Sequence, residues 1–496
     1  MPTFAILAPL VAALALALAG GVGKARARLL ATVSAALPLI ALIVVWARFD
    51  ASPEAPAFQS VLAVPWVPTL DVAWRVGVDG MSLALALMSA LLFVAAIAWP
   101  ADTQGRHRAY YAWLLFLEGV SLGLFLTLDL LVFYVFFDLS LVGMYFLIGR
   151  FGHGEAQAAA LKFFVYTLAG SLALLLAILG LVLAGDAPSF DMRALIAAQP
   201  LAGASPLAAG LVLLGFVVGF GIKTPLFPVH TWLPPAHVDA PGPASAILAG
   251  VLLKMGTYGL ARIPLSMMRE TFSAWALWIG VLAVVSILWG ALVAFAQQNL
   301  KRRIAYTSVN HMGYAVLGIA AAGAAAQGAP EAREIALTGA VIEMVAHGLI
   351  TGALFLIAGS FWLRTQDYDL GAYGGLAGVA PRLTAATILA AFASLGLPGL
   401  AGFVAEFQIF AGTFAVHPWL AAIGLLGILI TAALFLDMVQ KLFFGPLPET
   451  RRGFSDLGRA ETAVLAALLA LVVVIGVYPR WLIAMIAPAA SAIVGR

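Results

Sequence analysis

Ten side chains stand where their chemistry is out of place. Glu118, Asp138, Lys223, Lys254, Glu343, His347, Glu406 and Asp437 each interrupt or border an apolar stretch, and His230 and His311 add two neutral polar sites. A charge near the middle of a bilayer costs at least ~2.5–3.5 kcal/mol on insertion scales, so such a residue is a functional candidate by default. Any single pair also reads as a fixed salt bridge between helices. An acid, a base or a histidine in most of the middle segments does not. A train of titratable groups across consecutive helices is what a proton relay requires, since each donor must lie within reach of the next acceptor.

The two lysines carry the sharper signal. Desolvation favours the neutral amine, and a nearby carboxylate favours the ammonium. Lys223 would therefore load and release a proton as the influence of Asp138 changes. Snorkelling suits Lys254 poorly, because it lies ~12 residues, or ~18 Å, from the end of its segment at Gly242. Glu343 and His347 are spaced i, i+4 and share a helix face. The Glu–His order, without a second His nearby, argues against zinc, so no metal is expected. His311 lies about two turns beyond Lys301-Arg302-Arg303. It reads as a relay near neutral pH or as a hydrogen-bond partner of a neighbouring helix.

Other chemistries lack their residues. Cysteine is absent, which removes disulfides, thiolate-held Fe–S clusters and thiol nucleophiles. Gly21-Val-Gly-Lys-Ala lacks the spacing and the hydroxyl of a phosphate loop, and no glycine pattern opens a helix after a strand. Seven histidines support paired haem ligation weakly. The chain is expected to move ions without redox or ATP chemistry of its own, driven by a partner or an ion gradient.

The elements that position these groups follow from composition. Apolar residues make up 63% of the 496 and charged residues 10%, and the mean hydropathy is +1.05. Soluble domains carry about 25% charged residues. A soluble enzyme, a nucleic-acid-binding protein and a disordered scaffold are excluded, and the chain must live in a bilayer. A crossing helix needs about 20 apolar residues. Fourteen candidates satisfy this: 2–21, 29–48, 79–99, 110–128, 130–149, 159–184, 206–236, 242–264, 273–296, 303–323, 335–362, 381–413, 418–444 and 460–487. The fold class is an all-α polytopic membrane protein. No basic residue precedes the first apolar run, which reads as a retained span rather than a cleaved signal. The segment Asp50–Gly77, with Pro53, Pro56, Pro65 and Pro68, reads as an ordered external loop. Connections on one side hold about twice the Lys and Arg of the other. By the positive-inside rule this puts both termini outside, and it explains the net charge of +3 without an anionic ligand.

Two spans look broken. Pro225 and Pro228 remove backbone donors inside the seventh, and Gly396-Leu-Pro-Gly interrupts the twelfth ahead of Glu406. Each is the fourth span of a set of five, 4–8 and 9–13. Breaks at matching places point to inverted repeats around a midplane ion site. The expected division is a three-helix segment at 1–109, repeats at 110–264 and 273–444, and a C-terminal loop and helix at 445–496.

At these residues the sequence resembles the antiporter-like membrane subunits of respiratory complex I. Lys223-Thr-Pro-Leu-Phe-Pro-Val-His-Thr-Trp-Leu-Pro, the run from Ala236-His-Val-Asp to Leu253-Lys-Met-Gly-Thr-Tyr-Gly, and Gly77-Val-Asp-Gly-Met-Ser-Leu carry the likeness. Lys162-Phe-Phe-Val-Tyr-Thr, Leu300-Lys-Arg-Arg-Ile-Ala-Tyr-Thr-Ser-Val-Asn-His-Met-Gly and Gly402-Phe-Val-Ala-Glu-Phe extend it over nearly the whole chain. Fourteen spans without a long C-terminal extension are most similar to the M type. The resemblance implies a proton-translocating subunit of an NADH–quinone oxidoreductase in a bacterial inner membrane. It implies antiporter-like L- and N-type neighbours, with NAD, FMN, Fe–S and quinone held by partner subunits and no cofactor on this chain. It gives Asp138 and Lys223 the roles of a pair, Lys254 that of a connector and Glu406 the second half-channel. His311 and His347 fall on the central axis, His230 on the broken seventh span and Glu118 on the fourth-span carboxylate. Asp138 departs from the usual glutamate, shorter by ~1.5 Å, and Asn299 stands where many relatives have Asp. A cation/proton antiporter or membrane-bound hydrogenase subunit shares these motifs, and a passive spacer between membrane subunits is the remaining alternative.

Overall fold

The computed structural model describes residues 1–52, 54–185, 188–325 and 329–495. Pro53 of the external loop and Arg496 of the charge comparison lie outside the described residues.

Helices account for most of the structure. Before the first break they are α1 (Pro2–Leu18), α2 (Lys24–Ala47), α3 (Gly80–Ala98), α4 (His107–Leu126), α5 (Leu130–Phe151), α6 (Ala156–Leu183), a short α7 (Met192–Ala198) and α8 (Pro206–Lys223). After it come α9 (Leu233–Asp239), α10 (Gly242–Ile247), α11 (Leu253–Arg262), α12 (Pro264–Met267), α13 (Arg269–Ala296), α14 (Leu300–Gly323) and α15 (Pro330–Thr365). The chain closes with α16 (Pro381–Ser394), α17 (Ala401–Val416), α18 (Pro418–Phe443), α19 (Arg459–Val477) and α20 (Arg480–Val494). Among the described residues, eleven helical stretches are long and apolar enough to cross a membrane, counting Gly242–Met267 as one. The 24-residue α14 is long enough but less apolar, because it carries Lys301, Arg302, Arg303, Asn310 and His311.

Polar side chains start several of these helices. The Asp79 carboxylate accepts from Ser82 N in a capping box on α3, and Asp129 accepts from Leu131 N and Val132 N at the start of α5. Such caps satisfy donors that the first helical turn leaves free. Asn299 serves α14 in the same way.

The external loop is more ordered than its prolines suggest. Strands β1 (Gln59–Val67) and β2 (Val72–Val78) pair antiparallel into a hairpin. The hairpin marks one end of the bundle, and the Lys/Arg-rich connections mark the other, the basic end. The span α4 runs away from the basic end and α13 runs toward it, so the two sets of five spans are inverted relative to each other. The last expected span, 460–487, is corrected to two helices. The chain breaks at Tyr478-Pro479, and α20 turns back across the hairpin end. Its register there is tight: a Cβ on Gly80 would lie 1.7 Å from Met485 O. A tilted helix of 15 residues is too short to cross the bilayer by itself.

Candidate functional site

Both breaks are present. The seventh span ends its first half at Lys223, turns through Thr224–Trp232 and resumes as α9. The twelfth ends at Ser394 and resumes as α17, with Gly396 at φ 78° and Gly399 at φ 91° in the turn. A left-handed backbone of this kind is routine only for glycine. The eighth span carries a π-helical turn at Leu248–Leu252, directly before Lys254. Such turns disturb the regular carbonyl pattern, and here Lys254 Nζ donates to Ala249 O at 2.6 Å.

The strongest constellation lies between these breaks. Lys254 Nζ is 2.5 Å from His347 Nδ1. The His347 and His311 rings are 5.5 Å apart. His311 Nδ1 lies 3.1 Å from Glu343 Oε1 and 3.9 Å from Glu406 Oε1. Its Nε2 is 3.0 Å from Ser394 Oγ, at the lip of the second break. All five titratable groups are 4% exposed or less. A cavity of about 10 Å³ touches His311, Glu343, His347, Thr351 and Ser394, near the lower limit for one water. Glu343 Oε2, His347 Nε2 and Thr351 Oγ1 have no protein hydrogen-bond partner. Buried polar atoms of this kind need a partner, and all three residues line the same small cavity.

The other sequence candidates fall into place unevenly. Lys223 is buried and donates to Ser140 Oγ at 2.8 Å, with the Phe137 ring 4.9 Å away. The Asp138 carboxylate accepts instead from Ser171 Oγ, whose oxygen also lies 3.2 Å from Tyr134 Oη. Asp138 and Lys223 are therefore neighbours without direct contact: the lysine bonds Ser140, two residues beyond Asp138 on α5, and the carboxylate bonds Ser171 on α6. Asp138 is half-buried. Thr224 Oγ1 is buried without a partner and packs against Gly256, two residues beyond Lys254.

His230 accepts a hydrogen bond from Trp289 at 3.3 Å and stacks near Phe227. Glu118 is fully buried on α4, and neither carboxylate oxygen has a protein partner, so the structure does not join it to the chain of groups. Asp437 pairs with Arg303 at 2.6 Å and with Lys441 at 3.1 Å, which makes it part of a peripheral ion cluster. Among the described residues, no group of three His, Cys, Asp or Glu side chains could hold a metal ion.

Five buried groups lie outside the candidates that the sequence offers. Lys301 and Arg303 were counted as connection cations, yet both are fully buried. Adjacency to a loop says nothing about which way a side chain on the first turn points. His237 is also fully buried, stacked on Phe355 at 4.4 Å with neither ring nitrogen bonded. Its only sequence signal was its place seven residues beyond His230. Arg262 and Asp79 form a buried ion pair at the hairpin end.

A family model described as NADH:quinone oxidoreductase/Mrp antiporter, TM, matches residues 127–431. The NADH-quinone oxidoreductase subunit M of Rhodobacter capsulatus is 36% identical over 98% of this chain and 94% of its own. The NAD(P)H-quinone oxidoreductase chain 4 2 of Thermosynechococcus vestitus is 38% identical over 89% of this chain and 81% of its own. A chain in the structure of respiratory complex I from Thermus thermophilus superposes with a TM-score of 0.89 at 32% identity, covering 100% of this chain and 99% of that one. A chain of the Mrp complex from Dietzia shares the fold, with a TM-score of 0.85 at 24% identity over 99% of this chain and 52% of that one. By the family match and by these relatives, the chain belongs to the NADH:quinone oxidoreductase/Mrp antiporter transmembrane family.

Proposed function

We propose that the chain is the proton-translocating M-type membrane subunit of an NADH–quinone oxidoreductase. The observation that carries this reading is the buried run Lys254–His347–His311–Glu343/Glu406, closed off from lipid and bounded by two broken helices. Lys223 and Asp138 load the run from the first repeat. His230 flanks the first break, Glu406 delivers at the second, and Glu118 biases the field from α4. The three-helix segment 1–109 and the C-terminal part 445–496 frame repeats at 110–264 and 273–444. The basic end faces the cytoplasm of a bacterial inner membrane, with both termini outside.

The chemistry is proton transfer alone. A proton on Lys254 passes to His347 Nδ1, and His311 hands it on to the carboxylate pair on α15 and α17. Water bridges the gaps that exceed hydrogen-bond reach. NAD, FMN, Fe–S and quinone belong to partner subunits, and L- and N-type neighbours flank the chain in the membrane.

In membranes that carry the whole complex, Lys223→Ala lowers both proton pumping and coupled quinone reduction, by about tenfold or more for the loss of a positioned proton carrier. Full activity in that variant removes the relay. Purification decides between this reading and a cation/proton antiporter: an NADH-oxidising arm accompanies the chain in the first case and is missing in the second.

A further inference from the structure

The half-helix α9 ends at the basic end in an unusual way. The last carbonyls of a helix have no partner within it. Here three successive ones are held from outside. Lys301 Nζ donates to Ala240 O and, at 3.5 Å, to Val238 O. His153 N donates to Asp239 O at 2.8 Å. Lys301 comes from α14 in the second repeat, and His153 from the α5–α6 connection in the first. The His153 ring in turn stacks on Trp362 of α15 at 3.9 Å. The end of α9 is thus pinned where the two repeats meet.

What the pinned end covers is specific. His237 sits in its last turn, fully buried, with no partner on either ring nitrogen. Its own carbonyl accepts from Ser245 Oγ at 3.0 Å, which ties α9 to the helix leading to Lys254. A recess of about 60 Å³ opens at the basic end and stops against His153, Trp362 and Pro241–Pro243. Two of its walls adjoin the clamp: Pro241 follows Ala240 in the chain, and His153 donates its N–H to Asp239 O. An ammonium is a compact donor on a flexible stem, able to leave two carbonyls together. Lys301 Nζ also lies 5.5 Å from the centre of the Tyr368 ring, and among the described residues no carboxylate comes within 4 Å of it; a cation held in this way is held less firmly than one in a close ion pair.

We propose that Lys301 is a latch: bonded to the end of α9, it keeps that half-helix shut over His237 and controls when water from the basic end reaches Lys254. Lys301 is a positioning residue in this role. The proposal rests on the relay reading of Lys254 for its purpose, but not for its geometry.

The chain has no cysteine, so Ser245→Cys places a single thiol beneath α9. In inside-out vesicles carrying the complex, a membrane-impermeant thiosulfonate is applied and modification of this chain is followed by mass spectrometry. With Lys301 in place the thiol reacts slowly at rest. Lys301→Gln speeds it by about tenfold or more, because labelling tracks the open population. Lys301→Arg, which keeps a cationic donor, stays slow. Lys301→Gln also lowers the protons moved per NADH while NADH oxidation continues, and Lys301→Arg restores the ratio. Equal labelling in the Lys, Gln and Arg forms overturns the latch. Should Lys301→Gln fail to assemble, the unmodified Lys301 background decides: labelling of Ser245→Cys accelerates during NADH turnover, and no acceleration overturns the proposal. Lys254→Met separates the two readings, since normal pumping in that variant defeats the relay and leaves the labelling result standing.

Discussion

Buried charge takes two forms in this chain, divided by residue type. Arg262 with Asp79, Arg75 with Asp129 and Arg303 with Asp437 are close pairs toward the ends of the bundle. A guanidinium does not give up its proton in a protein, so these pairs can only hold structure. Lys254, His311, His347, Glu343 and Glu406 occupy the centre, where the proposed relay exchanges protons. The same logic reaches His153, in the connection outside the spans. Burial first, and then the charge of Lys301, pull its ring down to about 4. Unfolded, it would titrate near ~6.5. Between those values the unfolded chain binds a proton that the folded one refuses, so stability rises with pH there. The contribution is complete above ~6.5 and fades as pH falls toward 4. Thermal melting of the complex at pH 7.5 and pH 5 checks this. His153→Phe keeps the stack on Trp362 and removes the proton, and it loses less of its melting temperature on acidification than the parent. Identical losses in both would exclude His153 as the source.

At the level of elements, the breaks matter because a helix end brings free backbone groups and a turn to mid-membrane. In the second break the backbone makes room for the carboxylate: a Cβ on Gly396 would lie 2.2 Å from Glu406 Oε2. Gly396→Ala therefore incurs ~1–2 kcal/mol for a left-handed alanine and also drives Glu406 away from His311. Gly399 has similar torsion, but nothing lies within 4 Å of its Cβ position. Gly399→Ala incurs the strain without the collision. Gly396→Ala is expected to cut proton pumping by about tenfold, the scale for a displaced proton carrier, while Gly399→Ala keeps most of it. Equal losses, measured by acidification in vesicles, would assign the effect to backbone strain. The breaks were legible because proline and glycine act on the backbone locally. The turn at Tyr478-Pro479 was not, since hydropathy stays high across it and does not sense direction. The two sites of Asp138 and Lys223 were not legible either. Residue spacing gives the helix face, but Lys223 meets Ser140 from α8 and Asp138 meets Ser171 on α6, and such pairings between helices are set by tertiary packing.

For the whole molecule, the question is whether the central charges build the protein or work in it. The inverted sets of spans, the hairpin-end ion pairs and the tight glycine contacts hold the bundle without any of the central groups. The Arg364–Glu461 pair, at 2.7 Å, ties α15 to α19. Gly80 against α20 and Gly476 against the turn at Gly399-Leu400 lock the last helices to the third span and the second break. Removing both members of a buried polar set in favour of similar-sized uncharged side chains is often neutral or stabilising by ~1–4 kcal/mol, whereas removing one member alone strands the other. The combined variant Asp138→Asn, Lys223→Met, Lys254→Met, Glu343→Gln, Glu406→Gln leaves no charged member of the set stranded, and is therefore expected to enter the complex and to melt no lower than the parent. Its proton pumping should be lost, and coupled quinone reduction should fall with it. A passive spacer predicts the opposite pattern, with turnover and pumping intact in the same assembled complex. Subunit content, melting temperature and vesicle acidification measured on one preparation separate the two, because only a working relay loses the last while keeping the first two.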